Sequence, residues 1–284
     1  MKRYLVIGAS GTVGANLADV LLGKGCRVVA TTHRKSRACE RGALAWAYLD
    51  VGTGEGLEQA FDGIDGAFLM APPGYADHHA ILSPLIAEAK RRGLDKVVLM
   101  SAMGANAGDT PLRRAEVELE RAGLRYNIIR PNWFMQNFNT LWAGSIRDEG
   151  TIRLPAGRAK VSYIDARDIA AVAAQLLTTR AFDNRDLDLT GAQAIDHVEI
   201  AGILSETTGR KIAYEDIAPG VMREWLLSAG LPADYVAFLL VILEHLKQGH
   251  AERSTPVVRE VLERDPIPFT QYARDYRAAW SRAA

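Results

Sequence analysis

Three glycines near the amino terminus have the spacing of a phosphate-binding turn. Gly8, Gly11 and Gly14 follow directly after an apolar run and stand before a stretch with helical periodicity. Glycines let a backbone approach a diphosphate closely, and a helix N-terminus offers free N–H groups and a partial positive charge. A P-loop would need Lys after the last glycine, where this chain has Ala15. The motif indicates a nucleotide pyrophosphate site, and a turn that binds nothing is the alternative. The expected contacts are Gly8, Ser10, Gly11, Thr12, Val13 and Gly14.

A basic segment follows at the end of the second predicted strand. His33, Arg34 and Lys35 stand there, with Arg34 about 20 residues after Gly14. An NAD-binding unit places Asp or Glu at that distance, where the carboxylate accepts hydrogen bonds from the ribose 2′-hydroxyl. Cationic side chains would instead bind a 2′-phosphate. The sequence therefore predicts NADP(H) rather than NAD(H) as the cofactor, with a solvated basic loop as the alternative.

Residues at the ends of later strands are expected to complete the site, because ligands of parallel sheets lie beyond the carboxyl ends of the strands. Ser101 is interpreted as a hydrogen-bond donor to cofactor and substrate, or as a turn-capping serine. Tyr163 is a candidate catalytic residue or a core residue. His78 and His79 form a solvated helix start or a proton relay. The further cofactor contacts predicted are Asp50, Val51, Ala71, Pro72, Pro73, Ser101, Pro131 and Asn132.

An aromatic segment after residue 131 is predicted to line the substrate pocket. Packing beneath a second lobe explains the same side chains equally well. Asn132 and Asn137 are further candidates, as ligands of the nicotinamide carboxamide or of a substrate carbonyl. The predicted substrate contacts are Trp133, Phe134, Met135, Asn137 and Trp142.

The elements that must position these residues alternate between strand and helix. Such alternation predicts an α/β fold, a Rossmann-type doubly wound parallel sheet covered on both faces. We place the NADP-binding core at residues 1–132. A smaller, mostly helical substrate lobe is predicted for residues 133–284, interleaved with the last core elements as one structural unit. The predicted strands are 4–7, 27–32, 46–49, 66–70, 96–100, 126–130 and 186–189; the predicted helices are 12–22, 55–61, 76–92, 112–122, 166–177, 197–207 and 233–248.

Composition restricts the partners. Lys and Arg together number 34, as do Asp and Glu, so no net charge favours nucleic acid or anionic membranes. Cys26 and Cys39 have neither metal-ligand nor disulfide-framework spacing, so we expect no metal and a cytoplasmic protein. No stretch reaches the roughly 18 apolar residues of a membrane span. The apolar helix over 233–248 is interpreted as a core or dimer helix, which leaves a homodimer open.

Taken together, the chain resembles the NmrA-like group of atypical short-chain dehydrogenase/reductases over nearly its whole length. The resemblance implies an NAD(P)-binding fold, and the group includes quinone reductases, iminium reductases and cofactor-sensing regulators without turnover. The segments that carry it are 8–14, 97–101, 116–124, 130–138, 163–170 and 268–280.

One feature of short-chain dehydrogenases is missing. Their usual Tyr-x-x-x-Lys pair corresponds to positions near Leu112 and Glu116, and leucine cannot donate that proton. Reduction of a ketone needs such an acid, which typically contributes ~10²–10⁴-fold. An iminium, a quinone or an enone can accept hydride without it. The sequence thus predicts an NADPH-dependent reductase of small conjugated or cationic acceptors. The alternatives are an NADP(H)-sensing binding protein without turnover and, as a minor one, an isomerase or cyclase.

Overall fold

An eight-stranded sheet organises the amino-terminal part of the chain. In the computed structural model, which describes residues 1–281 except the side chains of residues 40 and 41, its order is β3-β4-β2-β1-β5-β6-β7-β9. All neighbours pair in parallel except β3 and β4. The strands are β1 Arg3–Val6, β2 Arg27–Thr32, β3 Cys39–Arg41, β4 Leu44–Tyr48, β5 Gly66–Leu69, β6 Lys96–Met100, β7 Tyr126–Pro131, β8 Thr151–Leu154, β9 Arg185–Leu189 and β10 Ala213–Asp216.

Helices connect these strands and confirm the predicted Rossmann-type α/β fold. They are α1 Thr12–Gly23, α2 Leu57–Ala60, α3 His78–Arg92, α4 Pro111–Glu120, α5 Ala143–Glu149, α6 Ala166–Thr178, α7 His197–Thr208, α8 Pro219–Ser228, α9 Ala233–Lys247, α10 Val257–Leu262 and α11 Phe269–Asp275. The central strands are mainly apolar, because helices cover both faces of a parallel sheet. Leu5, Leu69 and Leu99 from three of these strands are fully buried. The strand order reverses between β1 and β5, which is where ligands of such sheets bind.

Two local differences from the predicted elements have physical causes. The edge strand β3 was not predicted, because three residues carry too little periodicity to be recognised. The helix predicted over 55–61 begins only at Leu57. Its expected first residues belong to a turn in which the Asp50 side chain accepts hydrogen bonds from the N–H groups of Gly52 and Thr53, at 2.9 and 3.2 Å.

The chain divides into two compact units. The first unit contains Met1–Pro131 and Ala166–Leu189, and the second contains Asn132–Asp165 and the chain from Thr190 onward. The segment 166–189 returns to the first unit because α6 packs on α1 and β9 extends the sheet beside β7. The first continuous segment of the first unit ends at Pro131, and the predicted core ends at residue 132.

The second unit has its own aromatic core and a two-stranded parallel sheet of β8 and β10. Phe138 lies at the centre of this core, with ring-centre distances of 4.7 Å to Trp142 and 5.3 Å to Phe269. The Trp280 indole is fully buried and donates a hydrogen bond to the Phe138 carbonyl at 2.7 Å. This bond secures the last described turn of the chain.

Along residues 1–281, none of the helices combines the length and the apolar character that a membrane span needs.

Candidate cofactor-binding and active site

The glycine turn between β1 and α1 is tight enough to require glycine at two of its positions. Gly8 has a left-handed backbone, with φ of +73°, and its carbonyl accepts the Gly11 N–H at 2.9 Å. A Cβ on Gly14 would lie 2.3 Å from the Gly8 carbonyl oxygen. A Cβ on Gly11 would lie 3.3 Å from the same oxygen, with no other atom near. Packing within the turn therefore explains Gly8 and Gly14, but it explains Gly11 only in part.

The N-terminus of α1 is open to an anion. Its N-cap residue is Gly11, which has no side chain to accept a hydrogen bond from the first turn, and that turn contains no acidic residue. First-turn N–H groups have no partner inside their own helix, and the helix dipole adds positive potential there. The N–H groups of Thr12, Val13 and Gly14 therefore suit a diphosphate, so this turn fits the predicted cofactor.

The basic segment lies at the carboxyl end of β2, as its position in the sequence implies. Arg34 is exposed and forms no ion pair with any side chain that the structure describes, and His33 is exposed beside it. Lys35 differs, because its ammonium group forms an ion pair with Glu55. Of this segment, Arg34 is thus the strong cation that is available to a ligand.

The turns after β4 and β5 meet in the first unit. Asp50 uses its carboxylate to hold its own turn, and Val51 packs partly against the core. Ala71, Pro72 and Pro73 follow β5, with Pro73 exposed. The sequence interpretation missed Tyr75, whose hydroxyl would lie 2.9 Å from a Cβ on Gly52. An exposed aromatic residue directly after a Pro-Pro-Gly turn was the available signal.

The Ser101 hydroxyl lies at the carboxyl end of β6, close to the Glu116 carboxylate. It is 7% exposed, and its Oγ has no well-aligned hydrogen-bond partner among the described residues. A buried hydroxyl without a well-aligned partner can still bond to a ligand. Pro131 lies at the end of the neighbouring β7, where its carbonyl accepts the Met103 N–H at 3.0 Å.

Helix α4 carries no Tyr–Lys pair. Leu112 packs partly against the first-unit core, and Glu116 is fully buried. Arg130 donates to both Glu116 oxygens, at 2.9 and 2.8 Å, and Arg113 donates to one at 3.0 Å. Burial raises the pKa of Glu116, but hydrogen bonds from Arg130, nearby Ser101 and Arg113 outweigh it, and the pKa lies below its usual range. Glu116 is therefore an anion with a structural partner, unable to act as a proton donor.

The two histidines at the start of α3 differ in their surroundings. His79 Nε2 lies 2.9 Å from a Glu118 oxygen, and Ser83 donates to the other oxygen of Glu118 at 3.0 Å. These bonds join α3 to α4. His78 is partly buried, and burial lowers its pKa. Both side chains thus have local structural contacts, so neither is a simple solvated helix start.

Tyr163 lies in the core of the second unit, which favours the packing alternative over catalysis. The residue is 1% exposed, and its hydroxyl lies 2.8 Å from His197 Nε2. Its ring contacts Phe138 edge-on, with ring centres 5.1 Å apart. Burial raises the pKa of Tyr163 well above its ordinary value. A hydroxyl that is enclosed and already paired favours the core alternative, and the catalytic role of Tyr163 stays a prediction.

The Asn132 amide is also already used, which argues against its predicted role as a ligand of the cofactor. Its Nδ2 donates to Ser162 Oγ at 2.7 Å and to the Ala251 carbonyl at 2.8 Å, while Oδ1 accepts the Trp133 N–H at 2.9 Å. These bonds hold three separated segments of the second unit together. Asn132 is therefore a structural anchor.

The remaining predicted substrate contacts divide by burial. Met135 is 2% exposed and belongs to the second-unit core, so it does not line an open pocket. Trp133 and Trp142 pack on that core while partly exposed, and Phe134 is half-buried. Asn137 is half-buried, and its side-chain amide makes no hydrogen bond with the described residues. Asn137 thus stays a candidate substrate contact.

His197 gives the protein an acid-sensitive core. Burial lowers the pKa of His197 to about 4, against a smaller opposing effect of Asp196 and Asp216. The unfolded chain binds this proton near pH 6.5, so the stability contribution is complete above pH 6.5 and is lost as pH falls towards 4. We expect a loss of about 2 kcal/mol from this residue between pH 7.0 and 4.5. Urea denaturation at pH 7.0 and 4.5 measures it.

The matched variant for that measurement is His197→Gln, which keeps a polar partner for the Tyr163 hydroxyl but does not titrate. We expect its stability to fall less than that of the unsubstituted protein over the same pH interval. An equal fall in both proteins would contradict the assignment of this proton to His197.

Comparisons with known proteins identify the family. The model of the NmrA-like family matches residues 1–272. The uncharacterized oxidoreductase YesF of Bacillus subtilis (strain 168) is 31% identical over 281 residues, which is 98% of this chain and 96% of the relative. An NAD(P)H azoreductase of Xenophilus azovorans is 29% identical over 98% of this chain and 99% of the relative.

Solved structures share the fold. The triphenylmethane reductase of Citrobacter sp. complexed with NADP(H) superposes with a TM-score of 0.81 at 19% identity, over 96% of this chain and 99% of that one. An NADPH-dependent quinone oxidoreductase of Escherichia coli complexed with NADPH gives the same TM-score, identity and coverage. The glycine turn, the sheet order and the match across residues 1–272 agree with the resemblance read from the sequence. The chain belongs to the NmrA-like family.

Proposed function

We propose that the protein is an NADPH-dependent reductase that transfers hydride to a small conjugated or cationic organic acceptor. Oxidoreductase activity on the NmrA-like scaffold is supported by relatives that span nearly the whole chain. The proposed cofactor and acceptor class are carried by one observation: an open glycine turn and helix N-terminus for a dinucleotide stand in the same unit as an α4 that has no Tyr, His or Lys.

The described residues can bind and orient the cofactor. The first-turn N–H groups of α1 would hold the diphosphate, and the Arg34 guanidinium would bind the 2′-phosphate. The Ser101 hydroxyl, which has no well-aligned partner among the described residues, is available to a polar group of cofactor or substrate. When bound, NADPH supplies the hydride. The protein would contribute position and a defined electrostatic environment to the transfer.

The acceptor class follows from the absence of the usual Tyr–Lys pair in α4. Hydride addition to a ketone produces an alkoxide that needs a proton, so a missing acid is costly. Hydride addition to an iminium neutralises a charge that is already present. A quinone or an enone delocalises the incoming charge and can take its proton from water.

The test is NADPH oxidation, followed at 340 nm, with quinones, enones and iminium ions set against simple ketones. We expect turnover with at least one of the first three classes and none with ketones, because only the ketones require the acid that α4 lacks. Absence of NADPH oxidation with every acceptor, or faster oxidation with ketones, would overturn the proposed acceptor class.

The choice of NADP(H) gives a separate prediction for Arg34. We expect Arg34→Ala to weaken NADP⁺ binding about 10- to 100-fold, because a charge-assisted bond to phosphate is lost. Binding of NAD⁺ should stay within about twofold, since it offers no 2′-phosphate to this side chain. Isothermal titration calorimetry with both dinucleotides measures the two constants.

Arg37→Ala is the matched control, because the Arg37 guanidinium lies 3.8 Å from the centre of the Trp46 ring and is already engaged. It should leave the preference for NADP⁺ unchanged. If Arg34→Ala weakened the binding of NAD⁺ and NADP⁺ equally, Arg34 would not contact the 2′-phosphate.

A second candidate function is a cofactor-sensing binding protein without turnover. It is supported by the same gap in α4, together with the use of Tyr163 and Asn132 in packing and anchoring. It predicts dinucleotide binding without acceptor reduction, and a protein partner whose affinity changes with the redox state of the bound dinucleotide. Affinity capture in the presence of NADP⁺ or NADPH, combined with the acceptor panel, separates the two functions.

A further inference from the structure

Two of the three strong cations that follow β2 are already bound inside the first unit. The Lys35 ammonium forms an ion pair with Glu55 and lies 4.9 Å from the centre of the Tyr48 ring. The Arg37 guanidinium stacks on Trp46. Tyr48 and Trp46 belong to β4, so both cations are held toward the β4 side of β2. Arg34 has no such contact among the described side chains, which leaves it directed to solvent.

Glu55 is fixed by a partner on each of its oxygens. One oxygen binds the Lys35 ammonium, and the other accepts a hydrogen bond from the Tyr48 hydroxyl at 3.1 Å. The hydrogen bond from Lys35, followed by that from Tyr48, holds the pKa of Glu55 below its usual range. The same bond to Glu55 raises the pKa of Lys35. Both groups therefore stay charged near neutral pH, and their charges cancel within one contact.

This arrangement changes what a 2′-phosphate would meet at the end of β2. A phosphate gains from each nearby cation and loses from each nearby carboxylate, in proportion to charge over distance. With Glu55 beside Lys35, the pair contributes little net attraction, and Arg34 alone supplies the positive charge. Lysine has a flexible four-carbon stem, so Lys35 could turn to a phosphate once its carboxylate partner is neutral.

We propose that Glu55 is a specificity-determining residue: by neutralising Lys35, it limits the preference of this site for a 2′-phosphorylated dinucleotide over the unphosphorylated one. The inference rests on the proposed binding of NADP(H) in the first unit. The sequence analysis assigned the choice between NADP(H) and NAD(H) only to residues 33–35. The inference adds Glu55, from the turn after β4, to these residues.

The test compares dinucleotide affinities in Glu55→Gln, a variant that keeps the size of the side chain and an acceptor for the Tyr48 hydroxyl. Calorimetry with NADP⁺ and NAD⁺ at about 50 mM ionic strength limits screening between these exposed groups. We expect the dissociation constant for NADP⁺ to fall about five- to tenfold. The constant for NAD⁺ should change less than about twofold, because it lacks the 2′-phosphate.

Lys35→Ala provides the matched control in two backgrounds. In the unsubstituted protein it should not strengthen NADP⁺ binding, because it leaves the Glu55 carboxylate without its counter-charge near the phosphate. In the Glu55→Gln background it should remove the whole gain, since the gain comes from the released ammonium. This double-mutant cycle separates release of Lys35 from simple removal of a carboxylate.

Each outcome decides between the proposals. An unchanged or lower ratio of NAD⁺ to NADP⁺ dissociation constants in Glu55→Gln, while both dinucleotides still bind, overturns the role of Glu55 and leaves the proposed function standing. A gain that survives Lys35→Ala also overturns it, because Lys35 would then have no part in it. Failure of the unsubstituted protein to bind either dinucleotide overturns the proposed function and this inference together.

Discussion

Replacing Gly11 with alanine is expected to raise the dissociation constant for NADP⁺ at least about 100-fold while leaving the protein folded. A Cβ at this position would lie 3.3 Å from the Gly8 carbonyl oxygen, a contact that a shift of a few tenths of an ångström relieves. The backbone of Gly11 is extended, with φ of −92° and ψ of 177°, so alanine can adopt it. The added methyl group would instead occupy the space through which a diphosphate must approach the turn.

Gly14→Ala is the matched variant that separates loss of binding from loss of the turn. Its Cβ would lie 2.3 Å from the Gly8 oxygen, 2.7 Å from the Gly8 carbonyl carbon and 2.8 Å from the Ala9 Cα. All three are backbone atoms and cannot turn aside, so we expect a destabilisation of about 3 kcal/mol or more. Gly11→Ala should cost only about 1 kcal/mol, the size of a helix-cap change.

Calorimetry and urea denaturation on both variants test this contrast. A Gly11→Ala protein that binds NADP⁺ as tightly as the unsubstituted chain would show that the turn does not hold the diphosphate. A Gly11→Ala protein that is destabilised as strongly as Gly14→Ala would show that Gly11 serves packing alone.

The parts of the fold that the sequence predicted are those whose determinants are close together in the chain. The strand, the glycine turn and the first helix lie within residues 3–23, so the apolar run, the glycine spacing and the helical periodicity are read together. The same holds for β6 and α3, which lie close to their predicted positions. The helix predicted over 55–61 started late because the Asp50 turn competes for its first residues.

The sequence does not show which side chains already form hydrogen bonds with residues far away in the chain. Asn132 is used by Ser162 and Ala251, which are 30 and 119 residues away. Tyr163 is paired with His197, 34 residues away, and Lys35 with Glu55, 20 residues away. A residue type shows which hydrogen bonds a side chain can form, but only the fold decides whether those bonds are already made. Each of these three side chains therefore has a partner within the protein that the sequence alone does not show.

Glu116→Ala is expected to destabilise the protein by about 3 kcal/mol, because the buried Arg130 guanidinium loses both hydrogen bonds that Glu116 accepts from it. Glu116 is fully buried, and Arg130 is 2% exposed. Arg130 would keep its contact with Asp186, which lies at the surface end of the same guanidinium. Glu120→Ala is the control, because Glu120 binds only the partly exposed Arg113 and should cost about 1 kcal/mol or less. Urea denaturation at pH 7 measures both.

Replacing both partners tests whether the charges matter beyond this pairing. The double variant Glu116→Leu with Arg130→Met removes both buried charges of the pair, while Asp186 and Asp188 lose Arg130 as a counter-charge, so its stability should return to within about 2 kcal/mol of the unsubstituted protein. If the pair is structural, NADPH oxidation by the double variant should recover together with its stability. Recovered stability without recovered turnover would instead place Glu116 or Arg130 in the chemistry.

The pH dependence supplies a second readout of the same pair. The folded pKa of Glu116 lies below its usual value, so its contribution to stability is present above the unfolded pKa of about 4.3 and is lost as pH falls through the folded pKa. The stability difference between the unsubstituted protein and the double variant should therefore stay constant from pH 7 to 5. In more acidic solution the unsubstituted protein should lose stability relative to the variant. The His197 transition occurs at higher pH and is shared by both proteins, so it cancels in this difference. A difference that changed between pH 7 and 5 would mean that Glu116 binds its proton there, which would make the carboxyl available as the acid that α4 otherwise lacks.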